Sequence, residues 1–330
     1  MLECLLRRRY DPAELLAAHP PRIHHPHKQL VFELACPARA AHAGAIELTR
    51  WAAAPLPPAV APAWTDVVAV SGHYDYETRD ATWHVNFADT RLFFAYGSAL
   101  LAQDELQAAE HPLLGSLREA LLAEGQPALT VDGATPTPVL VAGVERRCEI
   151  ATAPDPGAGR PLGLYGNRFA AAPRDIVRAA VRVLDPPTIS NLIAIAAPDG
   201  GSGPYRPEEL EQVIVTAYTG FAAAISESHR RWPGAPVEVR TGFWGCGAFG
   251  GNRRAMTLLQ VLAARLAAVD RLRFYVFDEG GHANFRAGMA DLERVLAGGP
   301  RRATHPGGDR ADRRARLRMG HRRWQLTMPR

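Results

Sequence analysis

Five glycines fall within the eleven residues Thr241–Gly251, and that density constrains what can flank them. Before them, Val237-Glu238-Val239-Arg240 alternates apolar and polar, as a half-buried strand does. After them, Arg253 to Ala264 carries apolar residues at helical spacing. A strand, a glycine-rich turn and a helix make a ready anion site. Glycine lets the backbone approach closely, and the first helical N–H groups lack internal partners. A plain tight connection is the competing account. Trp244 and Phe249 argue against it, because a mere turn needs no large rings, whereas a pocket wall uses them.

The totals limit the rest. At 330 residues the chain holds one large domain or two small ones, and an apolar share of 47% suffices for a core. The net charge of +4 is unevenly placed: residues 301–330 hold ten Arg and two Asp, which leaves the remainder at −4. A high isoelectric point here therefore describes the tail and not a basic site. Cys4, Cys36, Cys148 and Cys246 form no CxxC pair and no zinc spacing, so buried, reduced thiols are expected. No apolar run approaches the roughly 18 residues that span a bilayer. Met1–Arg9 places its charge after a short apolar stretch, the reverse of a signal peptide, so a cytoplasmic protein without membrane contact is expected.

Residues 1–62 are rich in Ala, Leu, Pro and His and read as a helical, proline-rich accessory segment. Asp11 before Pro12 marks a helix start. His19, His24, His25 and His27 lie among prolines with no nearby carboxylate or thiol, which fits a solvated linker better than a metal site. Val31–Ala35 and Ala45–Trp51 read as further helical pieces. From 63 to 297 strands and helices alternate, the sign of an α/β domain. The expected strands are 67–70, 82–88, 139–144, 192–197, 237–240 and 272–277. Helices are expected from Ser98 toward His111, and over 113–122, 175–183, 207–225, 253–264 and 289–296. The arginine-rich stretch 298–330 reads as a disordered tail.

Gln103-Asp104-Glu105 sets two carboxylates side by side on a helix. Neighbouring helical residues point about 100° apart, so one of them at most aims straight into a given site. A solvated acidic pair is the bland alternative.

The string Trp244-Gly245-Cys246-Gly247-Ala248-Phe249-Gly250-Gly251 resembles the second phosphate loop of the poly(ADP-ribose) glycohydrolase macrodomain. Ala217-Tyr218-Thr219-Gly220-Phe221, Leu259–Ala264 and Phe274–Phe277 resemble further family segments, so the likeness runs over about residues 65–290. It implies a macrodomain-like three-layer α/β/α fold with a mixed central sheet. The family pattern Val-Asp-Phe-Ala-Asn, a triple glycine, then Gln-Glu-Glu aligns without a gap from Val85 to Glu105. On that alignment Glu105 is the catalytic acid and Asp104 takes the place of the glutamate that holds the ribose hydroxyls. Gln103, Asn86 and Asp89 are substrate-binding positions, with Asn86 and Asp89 exchanged relative to the family's Asp and Asn. Tyr165 corresponds to the tyrosine that stacks on adenine.

This chain departs from the pattern where Phe93-Phe94-Ala95 replaces the triple glycine, denying a ligand the same close backbone approach. Phe243, Asn252 and Ala196 also stand where the family has Asn, Asp and Asp. The resemblance implies a hydrolase of ADP-ribosyl glycosidic bonds that needs no metal or other cofactor, with the Gly245–Gly251 amides on the diphosphate and Phe249 on the ribose. An ADP-ribose-binding module without turnover, and a relic whose groove is plugged by Phe93 and Phe94, are the alternatives. The implied partner is ADP-ribose or an ADP-ribosylated macromolecule, met by a monomer. The +8 tail suits weak contact with nucleic acid or a poly(ADP-ribose) chain, against a simply solvated tail.

Overall fold

The computed structural model describes residues 2–38, 40–58, 65–76, 80–198, 204–247 and 249–297, with the backbone of 318–320 and 323–325. In chain order the elements are β1 (Cys4–Tyr10), α1 (Pro12–Ala18), α2 (Pro26–Ala35), β2 (Ile46–Trp51), β3 (Asp66–Ser71) and β4 (Thr82–Ala88). Then come α3 (Gln103–Glu110), α4 (Leu113–Ala123), β5 (Val131–Asp132), β6 (Thr135–Pro136), β7 (Val139–Ile150), α5 (Arg168–Ala171), α6 (Arg174–Ala180) and β8 (Val181–Ala196). The chain continues with α7 (Pro207–Arg231), β9 (Glu238–Gly242), α8 (Arg253–Ala267), β10 (Arg271–Phe277), α9 (Glu279–Ala297), β11 (Arg318–Gly320) and β12 (Arg323–Gln325).

Two compact units emerge. The first comprises Cys4–Ala52 and Tyr76–Ala196, the second Met1–Glu3, Ala53–Asp75 and Ala197–Arg330. The expected α/β class with a mixed sheet is borne out. In the first unit β1, β2, β7 and β8 pair antiparallel in that order, and β4 joins β8 in parallel. In the second, β10 pairs in parallel with β9 and with β3.

Local chemistry explains most element starts. Asp11 Oδ1 accepts the N–H groups of Ala13 (2.9 Å) and Glu14 (3.0 Å), and Pro12 opens α1 at the position that needs no donor. His25 caps α2, its Nδ1 taking the N–H of His27 at 3.3 Å, so the histidine-rich stretch ends in a helix start, while residues 19–25 connect α1 to α2 without helix or strand. Among the described residues no group of three or more His, Cys, Asp or Glu could hold a metal. No described helix is long and apolar enough to cross a membrane.

Some expectations need correction. Of residues 45–51, Ile46–Trp51 form strand β2 and not a helix. Ile46 and Leu48, two residues apart, both enter the core beside Val139, Val141 and Leu192, which is strand periodicity. The helix expected from Ser98 begins only at Gln103. Ser98 Oγ takes the N–H of Leu100 (3.2 Å) in a local turn, and residues 92–97 run as successive turns. The helix over 175–183 ends at Ala180, where Val181 enters β8. Cys36 and Cys148 are buried, but Cys4 on β1 is exposed and Cys246 is half-buried; all four are free thiols. Of the tail expected to be disordered, β11 and β12 pair antiparallel, and the rest of 298–330 lies outside the described residues.

The first unit closes tightly where the chain passes Gly97. Its carbonyl accepts the N–H groups of His24 and His25, both at 3.0 Å, and a Cβ there would lie 2.6 Å from the Arg22 carbonyl oxygen. That neighbour is backbone and yields poorly. Gly97→Ala is therefore expected to lose about 1–3 kcal/mol of stability through overpacking. Urea unfolding checks this. An unchanged midpoint would show that the 22–25 segment gives way freely.

Candidate active site

The first turn of α3 is built by its own acid. Glu105 Oε2 accepts the N–H of Ala102 at 3.0 Å, which caps a helix whose Ala102 has no side-chain acceptor to offer. Gln103 fastens the same turn to β4. Its Oε1 takes the N–H of Phe87 (2.7 Å) and its Nε2 donates to the Val85 carbonyl (3.1 Å). Asn86 points from β4 and donates its Nδ2 to Asp104 Oδ1 at 3.0 Å. The far end of α3 is held as firmly. Glu110 accepts Arg146 Nε and the N–H of Ile150, both at 2.8 Å. His111 donates Nδ1–H to the Gln107 carbonyl (2.8 Å) and takes the Ser190 hydroxyl on Nε2 (2.9 Å). A helix pinned at both ends holds its acids in fixed positions.

Asp104 and Glu105 are both buried, each 6% exposed. Burial raises the Asp104 carboxyl to about 7, and the adjacent Glu105 adds to the rise; Asn86 and Lys28 oppose it. Glu105 is raised in the same way, first by burial, against its own helical N–H, Lys28 and the Ala102 N–H. A charge on Glu105 raises Asp104 further, so the two carboxyls do not ionise independently.

Lys28, on α2, is the cation beside them. It is 2% exposed, and its Nζ donates to the carbonyls of Tyr96 (3.0 Å) and Glu105 (3.4 Å). Burial lowers it to about 8, while Glu105 and Asp104 pull it back up. Sequence reasoning missed it. The signal was available: it is the only lysine in the chain, every other residue of the Lys+Arg total being Arg.

Tyr165 comes to the same turn. Its ring is half exposed, and its hydroxyl lies beside the Gln103 main chain and within the influence of Glu105. Asp89 stands farther out and spends Oδ1 on the Arg91 N–H (2.9 Å) and the Thr90 hydroxyl (3.2 Å). In the Phe93-Phe94-Ala95 stretch, expected to replace a triple glycine, Phe93 adopts a left-handed φ of 50°. The backbone thus keeps a glycine-like bend at a cost of about 1–2 kcal/mol. The Phe93 ring is fully buried, packed with Leu92, Leu113, Leu114 and Leu117, so it belongs to the core and does not plug a groove. Phe94 is 46% exposed, with the Arg91 guanidinium 3.3 Å from its ring centre.

The second unit holds the glycine-rich loop. Gly245 and Gly250 have φ of 72° and 65°. A Cβ on Gly245 would lie 2.6 Å from that of Ala197, and one on Gly251 would lie 2.7 Å from the Gly245 carbonyl oxygen. Part of the loop is spent on its own shape. Cys246 N–H goes to Phe243 O (3.1 Å), Gly250 N–H to Gly247 O (3.0 Å) and Gly251 N–H to Gly245 O (2.9 Å). Asn252 gives its N–H to the Tyr205 hydroxyl (2.8 Å) and caps α8 by accepting from Arg254 and Ala255, both at 3.0 Å. No acceptor among the described residues takes the N–H groups of Gly245, Gly247 and Phe249. Trp244 is buried, and Phe243 packs on Phe274 and Phe285, so the rings root the loop. Ala248 lies outside the described residues.

Residues 185–284 match the family model described as "Poly (ADP-ribose) glycohydrolase (PARG), Macro domain fold". This bears out the likeness read from the loop string. Solved structures similar to the chain include the poly(ADP-ribose) glycohydrolase of Thermomonospora curvata, at 16% identity over 86% of this chain and 85% of that one, with a TM-score of 0.40. The same enzyme bound to the inhibitor ADP-HPD gives 17% identity, 85% and 84% coverage and a TM-score of 0.43. The poly(ADP-ribose) glycohydrolase of Deinococcus radiodurans in complex with ADP-ribose gives 16%, 87%, 95% and 0.42.

The buried pair has a signature in stability. An acid raised in the folded state binds its proton more tightly there than in the unfolded chain. For Asp104, stability is full below the unfolded value near 4 and falls as pH rises to about 7. Asp104→Asn removes that penalty and keeps an acceptor for Asn86. The variant is expected to be more stable than the parent at pH 8, with the gap closing toward pH 4. Equal denaturation curves at both pH values would place the charge elsewhere.

Proposed function

We propose that this chain hydrolyses ADP-ribosyl glycosidic bonds, with Glu105 as general acid and then general base. The observation that carries the reading is the pair of buried, adjacent carboxylates at the start of a helix pinned at both ends. Glycoside cleavage passes through an oxocarbenium-like state and needs a proton on the departing oxygen. Glu105, held back from ionising by burial, supplies it. As the glycosidic C–O bond breaks, the proton passes to the leaving group. Water then attacks the anomeric carbon and returns its proton to Glu105. Asp104, one methylene shorter than the family residue it replaces, takes the ribose hydroxyls, with Asn86 holding it in line. Gln103 positions the turn, and Asp89 and Tyr165 are assigned to the distal ribose and the adenine.

The 245–251 loop is assigned the diphosphate. Gly245, Gly247 and Phe249 carry the N–H groups left for it, and Phe249 packs on the sugar. Phe93-Phe94-Ala95 stand where the resembled family has its triple glycine, which favours one second reading: capture of ADP-ribose without turnover. The substrate is ADP-ribose on a macromolecule. Cytoplasmic placement and a monomeric state belong to the same proposal, as does a weak nucleic-acid contact through the arginine-rich residues 301–330.

Release of free ADP-ribose from a poly(ADP-ribosyl)ated protein is the direct test. Wild type is expected to release it, and Glu105→Gln to lose about 10²-fold or more while still binding ADP-ribose in calorimetry. Equal release by the two would remove Glu105 from its role. Binding without release by either would establish the capture reading. Separately, deletion of 299–330 is expected to reduce retention on nucleic acid at low salt. Unchanged retention would dismiss the tail contact.

A further inference from the structure

We propose that Lys28 is a positioning residue for the acid pair, its buried ammonium fixing the first turn of α3 and keeping one of the two carboxylates ionised. The inference deepens the glycohydrolase reading and rests on it for its kinetic consequence, though not for its electrostatic one.

The geometry carries it. A fully buried ammonium is costly unless paired. Nζ donates to two backbone carbonyls, Tyr96 at 3.0 Å and Glu105 at 3.4 Å. Carbonyl dipoles solvate a cation but do not neutralise it. The neutralising charge is at Asp104 and Glu105, on the same helical turn. The Phe169 ring, 6.0 Å from Nζ, closes another side.

Other charged groups stand around this centre. Asp89 acts on both acids, and Arg118 from α4 on Asp104. Tyr165 lies against Glu105, and His25 and His27 precede Lys28 on its own segment. Of these, Lys28 is the buried cation tied to the Glu105 backbone.

Composition points the same way. The chain uses arginine for every cation but this one. A guanidinium is planar, larger and never deprotonated at working pH, whereas an ammonium is compact and responds to burial. A site that accepts only a small cation explains a lone lysine in an arginine-rich chain.

The consequence concerns which carboxyl holds the proton. Two buried acids side by side repel a second negative charge. With one positive charge beside them, the stable arrangement is one carboxylate and one carboxylic acid. That is the division of labour the reaction needs: one group accepts the ribose hydroxyls and the other donates a proton. Without Lys28, both carboxyls hold protons to higher pH. The residue comes from the stretch 1–62, so that stretch contributes to the site directly.

The lone lysine makes the test clean. Full-length protein grown with ε-¹³C lysine gives one lysine signal, whose titration reads Lys28 alone. In Asp104→Gln and Glu105→Gln, loss of a negative neighbour is expected to lower the Lys28 midpoint by about one pH unit in at least one variant. A midpoint unmoved in both would overturn the proposal without touching the glycohydrolase reading. Lys28→Met, nearly the same length and neutral, is the kinetic arm. It is expected to lower kcat about tenfold with KM little changed, and to move the alkaline limb of the pH–rate profile upward, since both carboxyls then stay protonated longer. A merely structural lysine would lower the active fraction and leave the limb in place. If neither enzyme turns over substrate, the lysine titration still decides the electrostatic claim.

Discussion

Burying two adjacent carboxylates is the constraint around which the first unit is organised. Each would prefer water, and the fold denies it to both. The cost is offset locally and from several directions. Glu105 serves as the cap its helix lacks, Asn86 reaches from β4 to Asp104, and Lys28 arrives from α2. Each of these elements must stay in place for the acids to be tolerable. The far end of α3, fastened by the Glu110–Arg146 pair and the neutral His111, keeps the turn from swinging away. His111 is neutral because burial and the Arg146 charge lower it to about 3.

The glycine-rich loop solves a different problem. It keeps a single shape. It does so by giving some N–H groups to its own carbonyls and rooting itself through Trp244 and Phe243 in apolar surroundings. Asn252 then satisfies the start of α8, which frees the loop from that duty. Gln260 holds the loop's entry by donating to the Gly242 carbonyl at 2.9 Å.

Much of this was legible in the sequence, for identifiable reasons. Asp11-Pro12 states a helix start by its chemistry alone. The run Leu192–Ala197 is short and wholly apolar, which a buried strand requires. Residues 46–51 were harder. A six-residue strand with an Arg and a Glu in it offers too few positions to separate a period of 2 from one of 3.6. Only pairing with β1 on one side and β7 on the other settles it. The start of α3 was misplaced because Ser98 looks like a cap and Ala102 does not, while the true cap lies three residues inside the helix. Asn86 was assigned to the substrate on alignment. Its contact with Asp104 depends on two elements meeting and has no signature along the chain. Lys28 carried a signature, but one of rarity and not of motif, and motif searches pass over it.

The lone lysine also makes the molecule its own reporter. An amine that reacts with acylating reagents only when exposed is held at 2% exposure on the buried face of α2. Native protein should therefore acylate at that position only when the segment carrying it opens, and the rate would follow the free energy of that opening. A main-chain terminal amine is distinguishable from it by mass. A single count of stable amide products thus measures how often the first helices leave the sheet, against a background that holds no other side-chain amine.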